Sequence, residues 1–176
     1  MSNLNEIKIV KLGEKVLRLK AKKVKDIKGD ETQKIISIML ETLKKSNGVG
    51  LAAPQISISK QIMIISSKPN DRYPNAPLME ELVLINPKII KTSKGKNKDW
   101  EGCLSIPGIR AQVPRYNKIE VKYKTVENEK KTIVFKDFVA RIFQHEYDHL
   151  IGLAFIDRVE TTKDIISEEV YFKKIS

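Results

Sequence analysis

The stretch "DFVARIFQHEYDHL", residues 137–150, decides the fold because it predicts a helix that carries both histidines of the chain. Gly152 follows the helix and predicts its end. His145 and His149 are one turn apart on one face, so both imidazoles can reach the same metal ion. Glu146 is next to the first histidine, where its carboxylate can take a proton from water without binding the ion. This HExxH pattern is typical of metal-dependent peptidases.

The third metal ligand is not evident from the helix itself. A catalytic tetrahedral ion takes three protein ligands and keeps one position for water. No histidine follows His149, so the third ligand must be of another type. Cys103, the single cysteine, offers a thiolate that suits zinc or iron, although a lone cysteine is more often a small buried apolar residue. The carboxylates of the C-terminal tail are the other candidates: Glu160, Glu168 and Glu169.

A second helix is predicted in the N-terminal half of the chain. Asp30 is expected at its N-cap and Gln33 at the third helical position, a pairing typical of helix starts. Apolar residues then recur at helical spacing: Ile36, Met39, Leu40 and Leu43. Asn47 and Gly48 predict the end of the helix. An amphipathic helix of this kind needs a partner surface on which to bury its apolar face.

Short strands are predicted between the two helices. Residues 61–66 and 82–85 are apolar runs, and the proline- and asparagine-containing residues 67–81 between them predict a surface loop. Residues 119–126 and 132–135 predict a hairpin that turns at residues 127–129. We therefore expect an α+β fold with short antiparallel strands packed around the HExxH helix, as a single domain over residues 1–176. Residues 159–176 are left unassigned.

Composition limits the classes of function. The 176 residues carry a formal net charge of +11, and 27 of the 33 basic residues are lysines. Lysines usually form a solvated surface, but they can also dock a protein on an anionic partner. No zinc knuckle, RNA-recognition signature or phosphate-binding loop predicts sequence-specific nucleic-acid binding. No apolar run approaches the roughly 20 residues of a membrane span. With one cysteine and no signal-peptide pattern, a cytoplasmic location is expected.

Three segments, in this order, together resemble the peptide deformylase family: "GVGLAAPQ" at 48–55, "EGCLS" at 101–105 and "HEYDH" at 145–149. The resemblance covers about residues 5–158 and is closest in layout to the type 1 bacterial or organellar branch. It implies removal of the formyl group from the N-terminal formylmethionine of new proteins, with release of formate. The expected partners are therefore N-formylmethionyl nascent peptides.

The resemblance also implies roles for individual residues. Cys103, His145 and His149 would hold one divalent metal ion, Fe²⁺ in the cell, with Ni²⁺, Co²⁺ or Zn²⁺ in the purified protein. Glu146 would be the general base and then the acid. The Gln55 side chain and the backbone N–H of Leu104 would stabilise the oxyanion, as donors of this kind do in other hydrolases.

Further residues are expected around the substrate and the ligands. Candidates for substrate contact are Gly48, Val49, Gly50, Arg110, Phe138, Arg141 and, as a pocket residue, Phe143. Backbone near Gly50 and after Ser105 is expected to pair with the peptide. Gly48 and Gly50 can also end a helix with positive φ. Glu101 is expected to hydrogen-bond a ligand histidine, and Asp148 with Arg115 is expected to form a buried pair.

Two other interpretations remain open from the sequence. An HExxH endopeptidase would use a carboxylate as its third ligand and would not need Cys103. A non-catalytic, basic protein that binds RNA or the ribosome would use a closed structural metal site. For the deformylase, the same basic surface predicts transient docking on ribosomal RNA as a polyanion.

Overall fold

The structure is a computed structural model that describes residues 8–71 and 73–175. Across these residues the chain forms three α-helices: α1 Asp30–Ser46, α2 Asp137–Leu150 and α3 Glu168–Ile175. It also forms eight strands: β1 Gly50–Ala52, β2 Ile62–Ile65, β3 Leu82–Thr92, β4 Lys96–Cys103, β5 Ile106–Tyr116, β6 Lys118–Lys124, β7 Lys130–Lys136 and β8 Ile165–Ser167. No helix in this part of the chain has the length and apolar character needed to cross a bilayer.

The strands form two antiparallel sheets. The larger sheet has five strands in the order β1-β2-β3-β6-β7, and the smaller has three in the order β4-β5-β8. Helix α2 packs on the larger sheet through β1, β2 and β7 and on the smaller sheet through β5. The HExxH helix is therefore central, and the predicted α+β fold with antiparallel sheets is confirmed.

The core between α2 and the larger sheet explains why the apolar residues alternate along the strands. Val121 on β6 and Phe135 on β7 are buried against Ala140 and Phe143 of α2. Met63 of β2 completes this layer with no exposed surface. Each such side chain, fully buried, contributes about 1.5–3 kcal/mol. The polar face of α2 is buried as well, and this is the face that carries the histidines and Glu146.

Helix α1 begins one residue earlier than expected. The N-cap is Gly29 rather than Asp30, which is the first helical residue. The Gly29 N–H donates to Asp26 Oδ1 at 3.0 Å, and a Cβ at Gly29 would overlap that carboxylate. The helix ends at Asn47, which takes the left-handed conformation with φ 52°. Gly48 and Gly50 could have ended the helix with positive φ, but neither does so, because Asn47 supplies the reversal.

The middle of the chain contains more strand than the sequence predicts. β3 does not end at residue 85 but continues to Thr92. The sequence predicts an end at residue 85 because an asparagine and a proline follow. In the structure, Asn86 has φ 50° and the two residues mark a register shift inside the strand. The β4–β5 hairpin was not predicted either, since β4 is polar and mostly exposed. The β6–β7 hairpin is confirmed, as are the bounds of α2.

Residues 159–175, for which the sequence predicts no element, pack against the smaller sheet. A 3-10 turn at Thr162–Asp164 leads into β8, which pairs with Ile109, Arg110 and Ala111 of β5. α3 follows directly. β8 thus occupies part of the edge after Ser105 where a substrate peptide was expected to pair.

Candidate active site

The three predicted metal ligands lie together where the two sheets meet α2. Cys103 is the last residue of β4, and His145 and His149 are on α2. All three are buried, and their donor atoms lie within 4.8 Å of one another. Cys103 Sγ is 3.3 Å from His149 Nε2. One thiolate and two imidazoles fit an iron- or zinc-type ion and leave a position open.

The alternative carboxylate ligands point elsewhere. Glu160 and Asp164 contact Lys98, at 3.1 and 2.7 Å. Glu168 pairs with Arg110 at 2.9 Å, and Glu169 with Lys173 at 2.6 Å. The tail therefore supplies no third ligand in this arrangement.

Neighbouring charges prepare the ligands for a metal ion. Burial opposes the thiolate, but the charge of His149 and hydrogen bonds from both histidines outweigh it, so the pKa of Cys103 is well below its usual value. Glu101 Oε2 lies 2.9 Å from His145 Nδ1. This contact turns the other ring nitrogen toward the site, as carboxylates do for metal-binding histidines.

Glu146 lies beside this ligand set with an unsatisfied carboxylate. Its Oε2 atom is buried and has no hydrogen-bond partner among the described residues. Burial raises the pKa of Glu146 to about 7. β1 crosses directly over it: a Cβ at Gly50 would lie 2.6 Å from Glu146 Oε1. A buried, unpaired carboxylate with a pKa near neutrality is suited to move a proton.

Gln55 is oriented by the backbone. The N–H of Ala52 donates to Gln55 Oε1 at 2.9 Å. Its amide nitrogen must therefore face the other way, where it lies 3.6 Å from Cys103 Sγ and 3.3 Å from Ser105 Oγ. Leu104 follows Cys103 in the β4–β5 turn and lines the same pocket. The two expected oxyanion donors thus line the same pocket as Glu146 and His145.

A buried ionic network lies behind the ligands. Glu101 accepts hydrogen bonds from Arg115 Nε at 2.8 Å and Arg141 Nη1 at 2.9 Å. Arg115 Nη1 also donates to Asp148 at 2.6 Å, and Arg158 Nη2 donates to Asp148 at 2.7 Å. A buried charge is tolerated when it is paired and hydrogen-bonded in this way. The network fixes β4, β5 and α2 relative to one another.

The predicted substrate residues divide into two groups. Gly48, Val49, Gly50, Phe138 and Arg141 line one pocket with Glu146 and His145. The guanidinium of Arg141, however, is buried against Glu101 instead of reaching solvent.

The other two predicted pocket residues lie outside this lining. Arg110 is completely buried and faces the tail, so its expected place at the pocket rim was wrong. Phe143 is also completely buried and stacks between Phe135 and Tyr147, each at 5.6 Å between ring centroids. It belongs to the core.

Three residues that line the pocket were not predicted from the sequence: Tyr73, Trp100 and Ile142. Ile142 could have been found, because it is four residues after Phe138 and thus on the same face of α2. Tyr73 and Trp100 gave no signal, since one lies in a loop and the other in a strand that was not predicted.

The fold and the site together define a class of protein, a metal-dependent hydrolase, with a candidate metal site of one Cys and two His and a glutamate beside it. The sequence matches the family described as polypeptide deformylase over residues 7–164. It is 48% identical to peptide deformylase 2 of Nostoc sp. over 93% of this chain and 91% of that protein. The chain belongs to the peptide deformylase family.

Solved structures agree with the assignment. A class I type b peptide deformylase from Acinetobacter baumannii, bound to Met-Ala-Ser, has a TM-score of 0.85 and 42% identity, covering 90% of this chain and 100% of that chain. A peptide deformylase from Plasmodium falciparum has a TM-score of 0.79 and 36% identity, covering 89% and 88%. The protein is therefore an enzyme, a deformylase hydrolase.

Proposed function

We propose that this chain removes the formyl group from N-formylmethionyl peptides by hydrolysis, with Cys103, His145 and His149 as the ligands of one divalent ion. When bound, the ion supplies a Lewis acid that increases the acidity of water and polarises the formyl carbonyl. The observation that carries the proposal is the convergence of this ligand set with the unpaired carboxylate of Glu146 in one pocket. We expect iron in the cell because the resemblance to peptide deformylases implies it, and a thiolate with two imidazoles is compatible with iron as well as with zinc.

Each remaining residue of the site has a separate task in the reaction. Glu146 takes the proton from the attacking water and later gives it to the leaving amine nitrogen. The Gln55 amide and the Leu104 N–H donate to the oxygen that becomes negative as the formyl carbon is attacked. Loss of one such donor costs about 3–4 kcal/mol of barrier. The fixed orientation of Gln55 by Ala52 supports this role.

The peptide is expected to bind as an added strand. β1 is an edge strand of the larger sheet and β4 an edge strand of the smaller one, and residues of both, Gly50 and Gly102 among them, line the pocket. Extended peptides pair with such free backbone edges. Val49, Phe138 and Ile142 then supply an apolar surface for the methionine side chain. The bound Met-Ala-Ser in the Acinetobacter relative supports a peptide of this class.

We also propose that the enzyme acts in the cytoplasm as one catalytic domain and docks transiently on ribosomal RNA. Support for docking comes from a groove with a volume of about 770 Å³ between β3, β6, β7 and the end of α2. It is lined by seven lysines and no acidic residue: Lys20, Lys23, Lys88, Lys122, Lys124, Lys130 and Lys131. We call it the lysine groove. Such a surface attracts a polyanion without reading its sequence.

Formate release from formyl-Met-Ala-Ser by Fe²⁺- or Ni²⁺-loaded protein tests the proposal. Wild type should release formate, and Glu146→Ala should lose most activity while it retains the metal, because proton transfer typically contributes about 10²–10⁴-fold. Cys103→Ser should lose metal and activity together. An active Cys103→Ser variant, or cleavage of internal peptide bonds instead of the formyl group, would favour the endopeptidase interpretation. Wild type that is inactive with its metal intact would refute the catalytic function.

A further inference from the structure

Arg110 is a buried charge outside the catalytic groups. It lies on β5 and has no exposed surface. Its Nε donates to Glu168 Oε1 of α3 at 3.0 Å, and its Nη2 is 2.9 Å from the same oxygen. Three aromatic rings surround the guanidinium: Tyr73 at 5.3 Å, Tyr171 at 4.9 Å and Phe172 at 5.4 Å. A guanidinium over aromatic faces and beside a carboxylate is held by both attractions.

Residues 160–175, here called the tail segment, are fixed at several further points. Lys98 of β4 contacts Glu160 and Asp164 at the start of the segment. β8 pairs with β5. Tyr171 packs edge-on against Trp100, with 5.6 Å between the ring centroids. The tail segment thus lies across the small sheet that carries Glu101 and Cys103.

The same contacts reach the walls of the substrate pocket. Tyr73 and Trp100 both line the pocket, and Arg110 Nη1 donates to the Tyr73 hydroxyl at 3.3 Å. Gly102, another lining residue, lies under the Arg110 side chain: a Cβ there would be 2.7 Å from Arg110 Cδ. Arg110 therefore joins the tail segment to Tyr73 and Gly102 of the pocket wall, and Tyr171 joins it to Trp100.

Tyr73 and Trp100, unlike Gly102, are at the end of the pocket that is far from the ligands; Trp100 precedes Cys103 by three residues, roughly 10 Å along β4. Tyr73 packs against Phe138 with 5.5 Å between ring centroids. Phe138 precedes His145 by seven residues, about two helical turns or roughly 10 Å along α2. A formyl group at the ligands therefore leaves this far end to the side chain of the formylated residue.

We infer that the tail segment is a specificity element, in which Glu168 and Arg110 position Tyr73 and Trp100 as the far wall of the side-chain pocket. The inference rests on the proposed function, because it needs a formylated peptide in the pocket. Neither residue touches the reacting atoms, so both act by positioning. Loss of the contact between Glu168 and Arg110 should widen the far end of the side-chain pocket. Binding of a long substrate side chain should then weaken more than binding of a short one.

The test compares formyl-Met-Ala-Ser with formyl-Ala-Ala-Ser for wild type, Glu168→Gln and Tyr171→Leu, each loaded with metal. We expect both variants to raise KM for the Met peptide about 3- to 10-fold with kcat within about 2-fold, because uniform binding is lost. The Ala peptide should change little. Trp100, the single tryptophan, should show red-shifted emission in both variants as Tyr171 leaves it.

Glu169→Gln is the matched control, since it removes a charge from the same turn of α3 but pairs with Lys173 rather than with Arg110. It should behave like wild type in every measurement. An unchanged preference for Met over Ala in Glu168→Gln and Tyr171→Leu, or an equal loss for both peptides, would overturn the inference. If wild type released no formate from either peptide, the proposed function itself would fail.

Discussion

Glu101 joins more of the active site than any other single side chain behind the ligands. Its two oxygens receive hydrogen bonds from Arg115 and Arg141 and contact His145. It is 3% exposed, so water cannot replace a lost partner. The residue that orients a metal ligand is therefore also the residue that neutralises buried arginines.

Glu101→Gln is expected to weaken both metal retention and folding. The neutral amide leaves Arg141 without its carboxylate partner and Arg115 with Asp148 alone, and removing one partner of a buried pair costs about 3–5 kcal/mol. It also loosens the His145 ring, and loss of such support lowers metal affinity about 10–100-fold. Metal content after dialysis and denaturant unfolding measure the two effects. Unchanged metal content would rule out the orienting role, and Glu120→Gln on β6 is the control.

The pH dependence of stability should also change in this variant. Burial alone would raise the pKa of Glu101, but Arg115 and His145 outweigh it and hold that pKa below the usual 4.5. Below pH 4.5, the Glu101 carboxylate is therefore protonated in the unfolded chain but still ionised in the folded chain. The free energy of unfolding of the wild type consequently falls as the pH drops below 4.5. The amide of Glu101→Gln does not titrate, so the variant lacks this contribution to the pH dependence. Its metal-free unfolding curves should depend less on pH between 4.5 and 3 than those of wild type.

At the scale of elements, the site depends on how closely β1 approaches α2. Gly50 on β1 and Glu146 on α2 meet without room for another carbon atom. The contact forces the carboxylate toward the ligands and leaves the β1 edge next to them. Glycine is needed here for close approach, not for an unusual backbone conformation.

Gly50→Ala should impair catalysis more than folding. The added Cβ would displace the Glu146 carboxylate, and small misplacements of catalytic groups cost up to about 100-fold in rate. We expect kcat to fall at least about 10-fold, with metal content preserved because the ligands are on other residues. Gly95→Ala, in the β3–β4 turn, is the control. A Gly50→Ala enzyme with wild-type kcat would show that the approach of β1 is not needed to position Glu146.

At the scale of the molecule, the lysine groove brings seven positive charges together with no acidic residue in its lining. Lys88 of β3 and Lys122 of β6 are direct cross-strand neighbours, and like charges in that position are destabilising. None of the seven lysines except Lys131 has an ion-pair partner within residues 8–71 and 73–175. An anionic partner would relieve this repulsion.

Lys88→Gln/Lys122→Gln should weaken ribosome binding and leave deformylation of a tripeptide intact. Each phosphate contact contributes about 0.7–0.9 to the slope of log K against log salt, so the slope should fall by about 1–2 units. Ribosome co-sedimentation at several salt concentrations measures it. Lys28→Gln/Lys34→Gln, exposed and outside the groove, is the control. Equal ribosome binding by both double variants, or ribosome binding that does not depend on the salt concentration, would contradict docking through the groove.

The predicted elements succeeded where one local pattern decided the structure. The bounds of α2 and the β6–β7 hairpin follow from helical and alternating periodicity and were confirmed. β4 failed because its exposed, polar residues carry no periodicity, and its pairing with β5 is a contact between different parts of the chain. The predicted position of Arg110 at the pocket rim was wrong for a similar reason. Arg110 is buried by α3, whose Glu168 lies 58 residues later in the chain.

The sequence by itself determined the predicted chemistry of this protein: HExxH on a helix, one available thiolate and three ordered segments are local features, and they predict the ligands and the base. Only the tertiary structure decided how these groups face one another. The contact of Gly50 with Glu146, the three partners of Glu101 and the ion pair of Arg110 with Glu168 each join distant segments. Such contacts arise from packing of whole elements, and no spacing along the chain encodes them.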